Sequence, residues 1–270
     1  MTTIRLPPYT APQRLTPARI LRSEWTKMRT QPSVVWAVLS TIVLLVGFGV
    51  LFALLRESHP PQNQAALQSF DPTGISLAGV NLAQLSIGVL GILLITNEYT
   101  SGLIRASFAA VPARLPILWA KAIAVVLTTV VLCVPAAFAA FLIGQSILSA
   151  HHLNTTLASP GATRAVLGCA LYLGGVGLLG LGLGALLRNP AGAISALLGA
   201  LFGLQLILGF LPATLADQVT KFLPSPAGIA VTATSPDPLA LSPWTGLAVF
   251  LAYPAVLLVL AAYRMRHRDA

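Results

Sequence analysis

Six long apolar stretches constrain this chain more than any other feature of its sequence. They cover residues 34–55, 78–96, 117–143, 165–187, 191–211 and 244–263, and none of them contains an acidic residue. A helix needs about 20 apolar residues to cross the hydrocarbon layer of a membrane. Only 9% of the chain is charged, against about 25% in a typical soluble domain. The sequence therefore predicts an all-α membrane protein with six transmembrane helices.

The distribution of lysine and arginine predicts how these helices are oriented. Cytoplasmic connections of membrane proteins carry an excess of both residues near the helix ends. Six spans place both termini on one side, which holds thirteen of the sixteen basic residues: Arg5, Arg14, Arg19, Arg22, Lys27, Arg29, Arg105, Arg114, Lys121, Arg188, Arg264, Arg266 and Arg268. The other side holds Arg56, Arg164 and Lys221. We expect a cytoplasmic N-terminal segment (1–33), a six-span domain (34–263) and a basic cytoplasmic tail (264–270).

A short amphipathic helix is predicted before the first span. Thr16 and Pro17 form a typical helix start, and the apolar residues that follow at helical spacing are Ala18, Leu21, Trp25 and Met28. This pattern predicts a helix at the membrane interface, with its apolar side and Trp25 in the headgroup layer and arginines facing anionic lipid. Two simpler interpretations stay open. The arginines could only fix the topology, and Glu24 and Lys27 could form a plain i,i+3 pair.

A polar island at residues 97–114 separates the second and third apolar stretches. Glu98 lies at the end of a span, where an unpaired carboxylate is costly, so we expect it to have a partner. If the island is helical, one apolar stripe contains Tyr99, Leu103, Ala106 and Ala110, and a second patch contains Ile104 and Phe108. Two apolar faces suit an element wedged between the membrane and a soluble protein. The alternative is a solvated charge on a helix that lies on lipid.

Glycine and proline punctuate the second half of the chain. Gly180 and Gly184, like Gly199 and Gly203, have the GxxxG spacing that allows helix backbones to approach closely. The last outer connection, residues 212–243, contains six prolines and is too broken to cross the membrane. We expect short re-entrant or interfacial helices there.

Four segments together resemble the membrane subunits of ABC-2-type ATP-binding cassette exporters. They are the sequence SEWTKMRT at Ser23–Thr30, the island with its NEY, glycine, IRASF and VPAR elements, LPSPAG at Leu223–Gly228, and the final span with its basic tail. One arginine position of that tail holds His267 here. The order of the segments and the predicted topology both match the family, and the resemblance covers essentially the whole chain.

The resemblance implies a mechanical role. In such exporters the first cytoplasmic connection is a coupling helix that docks on the ATPase, and the N-terminal helix is an elbow on the inner leaflet. Two membrane subunits and two ATPases form the working unit, so a second permease copy or a related chain is implied. The coupling residues by this resemblance are Glu98, Tyr99, Gly102, Ile104, Arg105 and Phe108. The elbow residues are Glu24, Trp25 and Lys27.

The sequence itself indicates that ATP is hydrolysed by another chain. A P-loop ends in Gly-Lys-Ser/Thr, whereas the three lysines follow Thr26, Ala120 and Thr220. We therefore expect no enzyme activity and no cofactor on this chain, with ATP and Mg²⁺ bound by a partner ATPase. The basic residues flank apolar stretches, which argues against nucleic acid as a partner. Because arginine far exceeds lysine, as in GC-rich bacterial genomes, we expect a bacterial cytoplasmic membrane protein.

Three other functions were weighed against an exporter. A proton-coupled transporter normally carries Asp, Glu or His inside its spans, which the six stretches lack. An intramembrane or metal-dependent enzyme is disfavoured because His151 and His152 are adjacent and do not converge easily on one metal. A permease-like anchor or sensor for an ATPase, without transport of its own, stays open.

The cargo is not encoded in any motif. The polar residues that lie within spans are neutral, and Gln84, Thr128, Thr129 and Gln205 are the candidates for a substrate cavity. A path with few charges favours an amphipathic or apolar substrate.

Overall fold

A computed structural model describes residues 17–59, 70–103, 115–210, 212–235 and 239–267. Within these residues the chain forms helices and loops and no strand. Six of the helices are long and apolar enough to cross a membrane. They are α2 (Pro32–Ser58), α4 (Val80–Thr100), α5 (Leu115–Leu148), α6 (Ala162–Leu187), α7 (Pro190–Leu208) and α10 (Pro243–His267). The predicted all-α, six-span architecture is confirmed.

Four shorter helices accompany the spans. They are α1 (Pro17–Thr30), α3 (Pro72–Ser76), α8 (Ala213–Thr220) and α9 (Pro224–Ile229). We call the end of the bundle where α2 and α5 begin and α4 ends the near end, and the opposite end the far end. A single residue, Gln31, separates α1 from α2 at the near end. Helices α8 and α9 are the short helices expected between the last two spans.

Helix α6 is the centre of the bundle. In its most apolar window 78% of the residues are buried, against 17% for α7 at the periphery. Glycines bring α6 and α4 into backbone contact, because a methyl group at Gly91 would overlap the carbonyl oxygen of Gly177, and one at Gly180 that of Gly88. This is the close approach that GxxxG spacing allows. By contrast, a methyl group at Gly199 or Gly203 would meet no atom within 4 Å.

Helix α9 turns back into the bundle rather than staying on its surface. A side chain at Gly228 would overlap the ring of Tyr172 on α6, so only glycine fits there. Tyr172 is fully buried and packs on Phe250 of α10, with ring centroids 4.9 Å apart. Its hydroxyl donates to Gln84 Oε1 on α4. The segment predicted to form short re-entrant or interfacial helices therefore packs against α6 and α10 at this tyrosine.

Hydrogen bonds join the loops at the far end. Asp71 caps α3 by accepting from Gly74 N at 2.9 Å, and it also accepts from Thr234 N at 2.9 Å and Thr234 Oγ1 at 2.5 Å. Gln145 on α5 donates to Pro72 O and to Ser76 Oγ, both at 2.9 Å, and accepts from Thr155 N at 2.7 Å. We call this set, centred on Asp71 and Gln145, the far-end network. It ties the connection between α2 and α4 to the connection between α7 and α10.

Candidate functional site

Four charged side chains meet at the near end, where α1, α4 and α5 converge. Glu24 lies on α1, Glu98 in the last turn of α4, and Lys121 in the second turn of α5. These three residues are 4%, 3% and 2% exposed. Lys27, one turn after Glu24 on α1, completes the group, and its side chain is 40% exposed. Buried charge of this density in a membrane protein demands mutual neutralisation.

The four side chains form a closed ring of alternating charge. Lys121 Nζ lies 2.6 Å from Glu24 Oε2 and 2.8 Å from Glu98 Oε1. Lys27 Nζ lies 2.7 Å from Glu24 Oε1 and 2.9 Å from Glu98 Oε1. We call Glu24, Lys27, Glu98 and Lys121 the charge ring. Two positive and two negative groups leave it without net charge, which makes its burial tolerable.

Lys121 is the best satisfied member of the ring. An ammonium group has three N–H donors. The first two bind the two glutamates, and the third donates to Leu94 O on α4 at 3.2 Å. Every donor of this buried lysine therefore has an acceptor, which fixes α5 to both α1 and α4.

Glu98 is the least satisfied member. Both lysines donate to its Oε1, whereas its Oε2 is buried and receives no hydrogen bond from any residue that the structure describes. An unsatisfied carboxylate oxygen is costly in a buried site. The ring is therefore complete in charge but incomplete in hydrogen bonding, and the deficit lies on Glu98, its one member within the polar island.

Two opposing influences act on Lys27. Burial alone would lower the pKa of its ammonium, but the hydrogen bonds and negative charges of Glu24 and Glu98 outweigh burial and raise the pKa above its usual 10.5. Lys27 is therefore protonated throughout the physiological range.

The apolar face of α1 packs partly against other helices of the protein. Met28 is 4% exposed, and its sulfur accepts a hydrogen bond from Thr128 on α5 at 3.8 Å. Leu21 packs against the core, and Trp25 lines a cavity between α1, α2 and α5. The expectation that the apolar face of α1 lies in the headgroup layer is thus wrong for Met28, because that residue is covered by the third span.

The first residues of the polar island do not form one continuous helix. Helix α4 ends at Thr100, and Gly102 adopts a positive φ of 74°, the backbone conformation that commonly terminates helices. Tyr99 therefore belongs to the second span, where Arg188 lies over its ring at 5.2 Å, and does not share one unbroken helix with Leu103. Ile104, Arg105 and Phe108 lie outside the described residues, so their assignment to coupling stays a prediction.

The four candidates for a substrate cavity occupy different surroundings. Gln84 is buried against Tyr172, Thr129 donates to Val125 O within α5, and Gln205 donates to Leu201 O within α7. Thr128 lines the same cavity as Trp25. Within one chain they do not converge on a common site, and their role in substrate binding stays a prediction.

Sequence reasoning did not select Lys121 as a site residue. It was counted toward the orientation of the helices because it lies near a span end. The signal in the sequence was the residue type itself, because a lysine six residues into an apolar helix needs a counter-charge. Glu24 and Glu98 were the acidic candidates, but their convergence on Lys121 depends on the packing of three helices.

Comparison with known proteins gives a family for most of the spanning region. Residues 20–176 match the family model described as "ABC-2 family transporter protein". The matched region begins within α1 and includes all four members of the charge ring. A search of curated proteins found no match to the chain.

Proposed function

The chain belongs to the ABC-2 family of transporter proteins, and from that premise we propose that it exports a substrate using a separate ATPase chain. It is a multi-pass membrane protein and a permease component of an ABC transporter. The export direction, the ATPase and a second permease copy belong to the proposal. So does its placement in a bacterial cytoplasmic membrane with both termini in the cytoplasm.

The charge ring is the observation that supports this mechanism. It connects α1 and α5 to the last turn of α4, where the polar island at residues 97–114 begins. In the proposed mechanism the ATPase docks on the island and moves Glu98. Lys121 and Lys27 then transmit the displacement to α5 and α1. A ring of ionic contacts suits this role because such contacts rearrange between discrete pairings.

The unsatisfied oxygen of Glu98 supports a second arrangement of the ring. In the arrangement described here one carboxylate oxygen takes both lysines while the other takes no donor from the described residues. A rotation that engages Oε2 would recover a hydrogen bond to a charged group, worth about 1.5–3 kcal/mol. That is the scale of difference that a two-state element requires. We propose that docking of the ATPase selects between these arrangements.

Two substitutions test the coupling mechanism in the reconstituted complex. Glu98→Gln removes the charge at the ring, and Arg105→Ala alters the island. We expect both variants to bind the ATPase but to lose ATP-driven transport. The measurements are co-purification of the ATPase and ATP-dependent accumulation of a lipophilic cationic dye in inverted vesicles. Asp71→Asn, in the far-end network, is the matched acidic control, and this variant should retain ATP-dependent transport of the dye.

The outcomes separate an exporter from an anchor. If Glu98→Gln and Arg105→Ala both bind the ATPase and transport like the parent, the coupling assignment is wrong. If the parent complex hydrolyses ATP but moves none of several amphipathic dyes, peptides and lipids, a sensor or anchor explains the chain better than an exporter.

A further inference from the structure

A cavity of about 300 Å³ lies under α1, beside the charge ring. Its walls come from three helices: Trp25 and Met28 on α1, Val34 and Val38 on α2, and Thr128 and Leu132 on α5. The Thr128 hydroxyl is already bonded to the sulfur of Met28. The interior is therefore apolar, and its chemistry suits hydrocarbon rather than water or a polar ligand.

The mouth of this cavity opens sideways between two spanning helices. Val35 and Leu39 on α2 are 43% and 47% exposed, and Val131 on α5 is 58% exposed. These residues lie within transmembrane segments, so the mouth faces the hydrocarbon layer close to the near end. A ligand can therefore enter from the membrane itself.

The helix above the cavity is strongly basic. Its sequence contains Arg19, Arg22, Lys27 and Arg29 with a single acid, Glu24, and both oxygens of Glu24 are bound by lysines in the charge ring. The arginines thus have no acidic counterpart on their own helix. Arg22 is exposed and lies three residues before Trp25, so it shares the side of α1 that borders the cavity.

We propose that this cavity binds an acyl chain of an anionic phospholipid, whose phosphate interacts with Arg22 on α1. An apolar volume below a basic helix is complementary to such a lipid in both hydrophobicity and charge. A helix of a second copy supplies no phosphate for the basic border of α1, whereas an anionic phospholipid supplies both an apolar chain and a negative charge.

The lipid also lies where it can influence the charge ring. Met28, in the cavity wall, is one residue from Lys27 and one turn from Glu24 on the same helix. An acyl chain below α1 and a phosphate beside it hold this helix in its docked position. A lipid bound there therefore stabilises α1 in its docked position beside the charge ring.

Trp25 provides a direct probe, since it lines the cavity. The other three tryptophans, Trp36, Trp119 and Trp244, are exposed and are replaced by Phe. The purified permease is reconstituted with phosphatidylglycerol or phosphatidylcholine brominated on the acyl chains, and quenching of Trp25 fluorescence is measured. We expect half-maximal quenching at a several-fold lower fraction of brominated phosphatidylglycerol than of brominated phosphatidylcholine.

Variants assign the quenching to the cavity and to its basic border. Val38→Phe fills the interior and Val131→Phe narrows the mouth, so each should weaken quenching by both lipids. Val43→Phe is the matched control, because Val43 is on α2, 66% exposed and outside the cavity. Arg22→Gln should abolish the preference for phosphatidylglycerol and leave quenching by phosphatidylcholine.

Three outcomes would overturn the proposal. The first is equal quenching by both lipids, which would show that the site does not require an anionic headgroup. The second is quenching that neither Val38→Phe nor Val131→Phe reduces, which would place the lipid elsewhere on α1. The third is quenching that appears only when the protein is diluted to monomers, which would make a second copy the occupant. Because Val131 is already exposed, its variant also serves if Val38→Phe fails to fold.

Discussion

The two ends of the bundle are held together by different kinds of contact. At the near end, two acidic and two basic side chains form the charge ring, and one carboxylate oxygen has no donor among the described residues. At the far end, a single carboxylate, Asp71, accepts three hydrogen bonds on its two oxygens, and Gln145 uses its donor and its acceptor. The near end is held by the charge ring, whereas the far-end network consists of neutral donors and acceptors around one acid.

This difference teaches which end suits movement. A satisfied network of directional hydrogen bonds has one preferred geometry, so the far end is suited to fixing the outer loops. A ring of ionic contacts has several pairings of similar energy, and the unused Glu98 oxygen provides one of them. We therefore expect perturbations of the near end to affect coupling and those of the far end to affect stability alone.

The largest expected effect comes from Lys121→Met. It leaves Glu24 and Glu98 with only the half-exposed Lys27, and removal of one partner from a buried ion pair costs about 3–5 kcal/mol. We expect a large loss of stability in detergent, measured by thermal unfolding of the purified protein. The double variant Lys121→Met/Glu98→Leu removes one charge of each sign and should recover much of the loss. Unfolding of Lys121→Met at the parent temperature would show that the ring does not stabilise the near end.

Gly91→Ala tests the close packing of α4 against α6, which lies between the two ends of the bundle. The added methyl group would overlap the carbonyl oxygen of Gly177, and overpacking typically costs about 1–3 kcal/mol. We expect a loss near the top of that range because backbone atoms yield less readily than side chains. Gly199→Ala is the control, because a methyl group there meets no atom within 4 Å. Thermal unfolding of the two variants measures the contrast, and equal stability would contradict the close packing of α4 and α6.

Asp71→Ala sharpens the contrast from the far end. It removes three hydrogen bonds and leaves Thr234 N and Gly74 N without their acceptor, so we expect a loss of about 2 kcal/mol. Thermal unfolding gives this loss, and ATP hydrolysis by the reconstituted complex gives the coupling. Stability should fall while the response of ATP hydrolysis to the permease stays at the parent level. A loss of coupling equal to that of Glu98→Gln would contradict the expectation that the far end affects stability and not coupling.

The smallest effect is expected from Lys27→Met. Its side chain is 40% exposed, so solvent screening reduces its contribution to about 1 kcal/mol or less. Because its pKa is raised in the folded protein, this contribution is complete below pH 10.5 and is lost as the pH rises through the folded pKa. The difference in thermal stability between parent and Lys27→Met should be constant from pH 6 to 9 and shrink under alkaline conditions. A difference that shrinks on acidification would contradict this assignment.

The number and nature of the spanning helices could be predicted from the sequence because they depend on local hydrophobicity. The need for a partner at Glu98 could also be predicted, since it follows from the cost of an isolated carboxylate at a span end. The identity of that partner could not. Lys121 is 23 residues from Glu98 and 97 from Glu24, so their meeting depends on the rotation and packing of three helices.

The prediction for the polar island shows a second limit of inference from the sequence. Periodicity placed Tyr99 and Leu103 on one stripe, but Gly102 interrupts the backbone between them with a positive φ. Helical spacing gives no information about such a break, because it assumes continuous geometry. The far-end network was missed for a similar reason, since Asp71 and Thr234 are 163 residues apart.

The charge ring has a consequence for the order in which the protein is made. Glu24 and Lys27 leave the ribosome early, yet the lysine that neutralises Glu24 inside the bundle follows 97 residues later. Until α5 enters the bilayer, Glu24 has only the half-exposed Lys27 as a counter-charge, so we expect α1 to remain undocked. We therefore expect docking of α1 to be a late step of biogenesis that depends on insertion of the third span. A chain truncated before Lys121 should leave α1 open to protease digestion.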